Sequence, residues 1–537
     1  MACRVEQWRA IRPLRRETVE RYTSPTMKAK PGDDRRELVP LALAAATIVV
    51  GIAIRFVLSE TPLWLDEAQT LAVIGDGFGS IDDFLREDGH PPLYYWILQW
   101  WTTLVGDGDA ATRSLSLIFG LGCLPLIAVV ANRLGGRSVV APALALAASS
   151  PFLVRYSTEV RMYSLVVLLS LVWWLVSTSA LTRPTALRLV GVTIATASLL
   201  LTHYWSAFLI GSGLCLAAVA WHRRSHERRA VARVVVAGAA GGLVFLAWLP
   251  AFLTQLRHTG TPWAVNRNPV SSLVTGLADL AGGREEGHAI ALFGLLLVLL
   301  VVGGFGRGYD RWQIHLDLRL RAEPSPLIGL VIIAVAGGLG TAALLGLAFA
   351  PRYFSIIAAF VIVVAARGIA QIGDPLVRAS VLAAAVGLGL LGAVDQVLDD
   401  RSQGRIIAEA IATGDAVTDV VVACPDQLGP ATARYLPTTT EIVGYPLLEP
   451  GHRVDWTDYV DRNASASPTA VAEAIVTRWP GADVWLVFSG GYRTFDDQCE
   501  RLAGELAARR PGSQALVHAD ADVFEPMGLI RFPAPTS

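Results

Sequence analysis

Long uncharged apolar runs recur along the chain, separated by short connectors in which arginine is the usual charge. They fall at about 38–54, 114–131, 138–154, 162–181, 189–202, 204–221, 234–253, 289–306, 326–349, 353–370 and 379–394. As helices at about 1.5 Å per residue, runs of this kind match a hydrocarbon layer about 30 Å thick, so about eleven membrane spans are expected. One polar stretch interrupts the series early: Glu60 to Ala111 carries ten acidic residues against Arg86 alone. Within it, Pro91–Val105 is apolar but too short to cross, and it holds Tyr94, Tyr95, Trp96, Trp100 and Trp101. That composition suits a helix lying at the headgroup level.

Charge then orients the spans. Cytoplasmic connections are rich in arginine and lysine, and the basic flank of the first run precedes it, which places the amino terminus inside. No small-residue cleavage site follows that run, so it reads as an anchor. With Pro91–Val105 lying flat, Arg133/Arg137, Arg183/Arg188, the block Arg223–Arg233, Arg307–Arg321 and Arg367/Arg378 fall on the inner side in turn. The acidic loop 59–111 and the carboxyl terminus then lie outside. Residues 1–37 read as a cytoplasmic tail, 38–398 as the membrane domain, and 399–537 as a soluble extracytoplasmic domain.

In that last part the pattern changes from span-length runs to short ones. VTDVVVAC and DVWLVFS read as buried strands, and 430–436, 469–479 and 495–510 have helical spacing, which favours a small α/β domain. The fold class expected is mainly α, a polytopic helical membrane protein with a C-terminal α/β domain. An apolar fraction of 53% agrees, and the formal net charge of −1 gives no sign of a nucleic-acid partner. Of five cysteines, Cys424 and Cys499 lie in the soluble part, where a disulfide between them is one option; none has metal-ligand spacing. The glycines of Gly75–Gly79 and Ser489–Gly491 read as turns, since neither has the full dinucleotide fingerprint.

Once the chain is oriented, polar residues that neither lipid contact nor positive-inside anchoring explains collect on the outer side. They are Asp66 and Glu67, His90 before a double proline, Glu159, Arg161 and Tyr163 in YSTEVRMY, His203 and Tyr204, and Arg352 with Tyr353. Each has a plain alternative: solvated loop acids, arginines reaching for headgroups, a packing histidine. Together, groups of both signs at one membrane face mark a functional site. A carboxylate could take the proton of an attacking hydroxyl, while Arg161, Arg352 and His90 bind a departing lipid phosphate. A divalent ion held by Asp66 and Glu159 would serve the same end, although the spacing does not demand one.

WLDEAQT, HPPLYYW, ATRSLSLIFG, YSTEVRMYSL, THYW and APRYF, in this order over residues 38–370, resemble the GT-C superfamily of integral membrane glycosyltransferases. The likeness is nearest to the protein O-mannosyltransferase and lipid A aminoarabinose transferase branch. It implies a polyprenyl-phosphate sugar donor and a hydroxyl acceptor on a glycan, lipid or protein. It further implies transfer at the outer face of the cell membrane with inversion at the anomeric carbon. Asp66 takes the place of the family's acidic loop residue, with Glu67 beside it. His90, Arg161 and Arg352 are expected at the donor phosphate, and Tyr163, His203, Tyr204 and Tyr353 at the substrate. The rival reading is a transporter or flippase of a lipid-linked sugar, which would place its binding groups within discontinuous helices, often in repeated halves. A non-catalytic scaffold is the third.

Overall fold

A computed structural model describes residues 34–57, 61–223, 228–259, 268–318, 325–347, 349–398, 400–413, 419–491 and 495–535. The tail 1–37 lies almost wholly outside the described residues. Among these, six helices are long and apolar enough to cross a membrane: Asp109–Gly135, Tyr163–Thr182, Ser206–Arg223, Gly287–Phe305, Pro326–Leu345 and Pro375–Gln396. Two bent pairs raise this to eight if each is one span, and Leu41–Phe56, Ala186–Thr202 and Ala358–Ala370 are shorter apolar helices. Every apolar run of the sequence falls on one of these elements.

The spans are not all continuous, as the sequence had suggested. Arg137–Ser149 meets Pro151–Ser157 at 58°, and Arg228–Phe245 meets Leu249–His258 at 67°. Proline explains both breaks: Pro151 and Pro250 stand in the first turn of the second helix of each pair, where a missing N–H costs nothing. Carbonyls freed near the first break are satisfied from the first span, where Arg55 Nη1 donates to Ala148 O at 2.9 Å.

Ala358–Ala370 sits at the centre of the bundle, buried from Ala358 through Ile369, which is why its sequence is apolar on every side. It packs against Gly287–Phe305 with almost no gap. A Cβ on Gly303 would stand 1.9 Å from the carbonyl oxygen of Val364, so only glycine allows that approach.

The acidic outer stretch is itself helical. After α1 (Asp34–Val57) come α2 (Leu65–Gly75), α3 (Phe78–Asp88) and α4 (Leu93–Val105). The turn from α3 into the HPP sequence uses Gly89 at φ 86° in the left-handed region. The α4 helix has 13 residues, about 20 Å, short of a crossing.

Two short strands, β1 (Gly306–Gly308) and β2 (Ile314–Leu316), form a hairpin. The C-terminal part holds β3 (Val420–Cys424), β4 (Glu441–Gly444), β5 (Glu449–Pro450), β6 (Val484–Phe488), β7 (Gln514–Val517) and β8 (Gly528–Phe532). They make one sheet ordered β5-β4-β3-β6-β8-β7, with β3 parallel to β4 and to β6. Val420 and Val422 face one apolar cluster with Ile475 and Leu502, whereas Val421 and Ala423 face another with Ile407 and Ala431. Both faces are covered, which accounts for the unbroken apolar strands. Cys424 and Cys499 form a disulfide tying the end of β3 to the helix Gln498–Arg509.

This domain sits directly on α2. Gln69 exchanges two hydrogen bonds with the backbone of Val454, at 2.8 and 2.9 Å, and the Trp456 N–H donates to the Glu87 carbonyl at 3.1 Å.

Candidate active site

The first turn of α2 places Asp66 and Glu67 side by side but turns them to different partners. Asp66 Oδ2 accepts from Arg352 Nη1 at 2.9 Å and lies 3.8 Å from Arg161 Nε. Arg352 comes from the turn Pro351–Ile356 and Arg161 from the irregular stretch before Tyr163–Thr182. Three segments distant in the chain therefore meet at one carboxylate. Burial alone would raise the Asp66 pKa, but the charges of Arg352 and Arg161 outweigh it and hold the group below the ordinary carboxylate range. The Asp66 side chain is 16% exposed and that of Arg352 17%, so the pair remains reachable, while Arg161 is buried.

Glu67 is differently placed. Arg113 holds it with two hydrogen bonds, Nε to Oε1 at 2.8 Å and Nη2 to Oε2 at 2.7 Å, and the Val160 N–H adds a third at 2.9 Å. Both carboxylate oxygens are thus engaged inside the protein, away from the partners of Asp66. Glu67 braces the loop carrying Arg161. Removing one partner of a buried ion pair leaves the other charge uncompensated, at about 3–5 kcal/mol. Either Glu67→Gln or Arg113→Gln should accordingly lower the thermal midpoint in detergent by several degrees. An unchanged midpoint in both variants would show that the pair is not structural.

His90 is a relay. Its Nε2 lies 3.0 Å from Arg161 Nη2, and a guanidinium only donates, so Nε2 accepts and the Nδ1–H donates to Asp88 Oδ2 at 2.8 Å. Tyr95 and Gln69 also donate to Asp88, at 3.2 and 3.4 Å. Arg161 is fixed further through Thr70 Oγ1 and the Asp66 carbonyl, at 3.0 and 3.2 Å. As placed, both ring nitrogens of His90 are engaged by Arg161 and Asp88.

The aromatic expectations divide. Tyr163, His203 and Tyr353 pack in a row, with ring centroids 5.8 and 5.3 Å apart, and Tyr353 stacks on Trp205 at 4.9 Å. The Tyr163 hydroxyl, Arg161 Nε and Arg352 Nε are buried without hydrogen-bond partners. Tyr204 turns away, bonding Gln255 and Trp248 within the second bent pair.

Asp66 and Glu159, expected as metal ligands, both face cations, and of the Glu159 carboxylate only Oε2 is without a hydrogen-bond partner. Glu159 Oε1 already accepts from Trp64 Nε1 at 2.9 Å and Arg401 Nη1 at 2.6 Å, and Asp66 faces two guanidiniums that would repel a cation. Among the described residues no three His, Cys, Asp or Glu side chains gather as ligands. Asp88, Arg113 and Arg401 were not expected in the site. Arg113 did carry a signal, an arginine inside ATRSLSLIFG opposite an acidic loop, whereas Arg401 had none.

Residues 89–253 match the Dolichyl-phosphate-mannose-protein mannosyltransferase family. Two crystal structures of ArnT from Cupriavidus metallidurans share the architecture, each covering 92% of this chain and 99% of the other. The undecaprenyl phosphate-bound form superposes with a TM-score of 0.54 at 11% identity, and the apo form with 0.55 at 13%. The chain has the GT-C fold. At such low identity the likeness is one of fold alone. No curated protein matches by sequence.

Proposed function

We propose that this GT-C protein transfers a sugar from a polyprenyl-phosphate donor to a hydroxyl acceptor at the outer face of the membrane. The observation that carries the reading is Asp66 held between Arg161 and Arg352 beside buried donors that lack partners. A phosphate monoanion or dianion would satisfy those donors by charge-assisted bonds. The matched family is described by a dolichyl-phosphate sugar, and ArnT was crystallised with undecaprenyl phosphate. Both agree with a lipid-phosphate donor here.

In the proposed step the acceptor oxygen attacks the anomeric carbon as the bond from that carbon to the phosphate oxygen breaks. The electron pair leaves with the polyprenyl phosphate, and the acceptor proton passes to Asp66. The phosphate leaves as a stable anion, so it needs positive charge from Arg161 and Arg352 and no acid. Donor binding also prepares the base: phosphate drawn to the two arginines weakens their hold on Asp66, and its pKa rises towards that of a competent proton acceptor. Glu67 with Arg113, and Asp88 with His90, keep the two arginines and the base in register.

Charge and the disulfide support the outward orientation. Cys424–Cys499 belongs to the domain seated on α2, and disulfides persist in oxidising compartments, so domain and site share the extracytoplasmic side. The two broken helix pairs favour a second reading, a transporter or flippase of a lipid-linked sugar. One assay separates them. The purified protein, given radiolabelled polyprenyl-phosphate sugars and envelope acceptors, should release polyprenyl phosphate and label an acceptor. Movement of intact donor across a liposome membrane without release would establish the transporter instead.

A further inference from the structure

The N-terminus of α2 lacks the cap that its sequence would normally supply. Trp64 occupies the N-cap position and makes no side-chain cap bond, so the first amides of the helix need partners from elsewhere. The C-terminal domain provides them. Glu525 Oε1 accepts from the Leu65 N–H at 2.8 Å, across 460 residues of chain, and the Tyr435 hydroxyl accepts from the Leu63 N–H at 2.7 Å. Phe524 packs edge-on against Trp64 with centroids 5.3 Å apart.

These contacts close a ring. The Glu525 N–H donates to the Arg401 carbonyl at 2.8 Å, the Arg401 guanidinium bonds Glu159, Glu159 accepts from the Trp64 indole, and Trp64 precedes Leu65. The ring joins the C-terminal sheet, the end of the last membrane helix, the loop before Arg161 and the start of α2. Asp66 is the next residue along. Any shift of Leu65 moves the Asp66 carboxylate relative to two arginines that stand on other elements.

We propose that Glu525 is a positioning residue for the transfer, its carboxyl fixing the first turn of α2 and with it the place of Asp66 between Arg161 and Arg352. The proposal rests on the transferase reading above and gives the C-terminal domain a task in the reaction. That task is to hold the catalytic loop in its working shape.

The charge state of Glu525 matters to that task. Its pKa is pushed up to about 8, chiefly by burial with a contribution from the facing carboxylates Asp66 and Glu67, against the hydrogen bonds of the Leu65 N–H and the Ser402 side chain, which lower it. The Arg401 guanidinium is turned to Glu159. Below that pH the neutral carboxyl accepts the Leu65 N–H through its carbonyl oxygen and adds no charge. Above it, a third anion stands near Asp66 and opposes an incoming phosphate.

The test uses the full chain in detergent. Glu525→Ala, which leaves Leu65 uncapped, should lower kcat by about ten- to a hundredfold, since small misplacements in an active site carry penalties of that size. Glu525→Gln keeps the carbonyl acceptor and should restore kcat. In the wild type, donor KM should rise by about tenfold from pH 7 to pH 9, and Glu525→Gln should abolish that rise. Hydrogen exchange of the amides in residues 65–70 should be faster in the alanine variant than in wild type and normal in the glutamine variant. A wild-type kcat in Glu525→Ala, or a wild-type pH dependence in Glu525→Gln, would overturn the proposal. If the wild type transfers no sugar at all, the transferase reading fails first. The exchange measurement then still decides whether Glu525 holds α2, and unchanged exchange in the alanine variant sinks that too.

Discussion

Asp66→Asn should reduce sugar transfer by about a thousandfold while leaving the protein folded and able to bind donor. General-base catalysis contributes about 10²–10⁴ in rate, and asparagine cannot take a proton. The change is isosteric, and Arg352 and Arg161 both pair with Asp66 through Oδ2 alone, so the fold loses two ion pairs at one partly exposed oxygen. Donor affinity should hold or improve, because the two arginines no longer share their charge with a carboxylate. Binding of the donor lipid and release of polyprenyl phosphate are measured separately in the same preparation. Full turnover by Asp66→Asn would remove the base assignment. Because the arginines hold Asp66 below the usual carboxylate range, the acid limb of the rate profile should lie below the range of an ordinary aspartate in the unliganded enzyme.

The second large effect belongs to Arg352. Arg352→Ala should raise donor KM by about ten- to a hundredfold, the equivalent of a charge-assisted hydrogen bond at about 1.5–3 kcal/mol, with a smaller change in acceptor KM. Arg352→Lys should recover part of this, since an ammonium restores charge but not the forked geometry that engages phosphate and carboxylate together. Equal donor affinity in Arg352→Ala and wild type would mean that this arginine only neutralises Asp66. Arg161 is a poorer test residue. It is buried and bonded to Thr70, His90 and the Asp66 carbonyl, so its removal disturbs the whole loop.

The site shows where reading a sequence by charge and spacing succeeds. Asp66, Arg161 and Arg352 were chosen because ionisable groups beside apolar runs are costly unless they meet, and they do meet. Glu67 and His90 were chosen by the same logic, and their partners in the fold, Arg113 and Asp88 with Arg161, were not foreseen. Nothing in WLDEAQT says which of two adjacent acids faces Arg113 and which faces Arg352; on a helix they point about 100° apart, and the packing of Asp109–Gly135 decides. His90 is turned towards Asp88 by the left-handed turn at Gly89, a local geometry whose consequence for Arg161 is set by a loop 70 residues away. Two helices in the acidic loop, α2 and α3, were missed because their apolar faces are short and their acids dominate the pattern.

Apolar runs of span length, the arginine-rich connectors and the single acidic outer stretch determine the helical membrane architecture. These are local properties: each run must bury its backbone polar groups in lipid, and a helix does so with its own hydrogen bonds. The break at Pro151 was not read from the chain, which suggested one span over 138–154; only the fold shows the 58° turn there. What the chain order could not give was the closure of the site. Arg401 and Glu525 reach Glu159 and Leu65 across hundreds of residues, and no periodicity encodes such a meeting. It exists because the C-terminal sheet docks on α2, and docking is decided by the shapes of two folded surfaces.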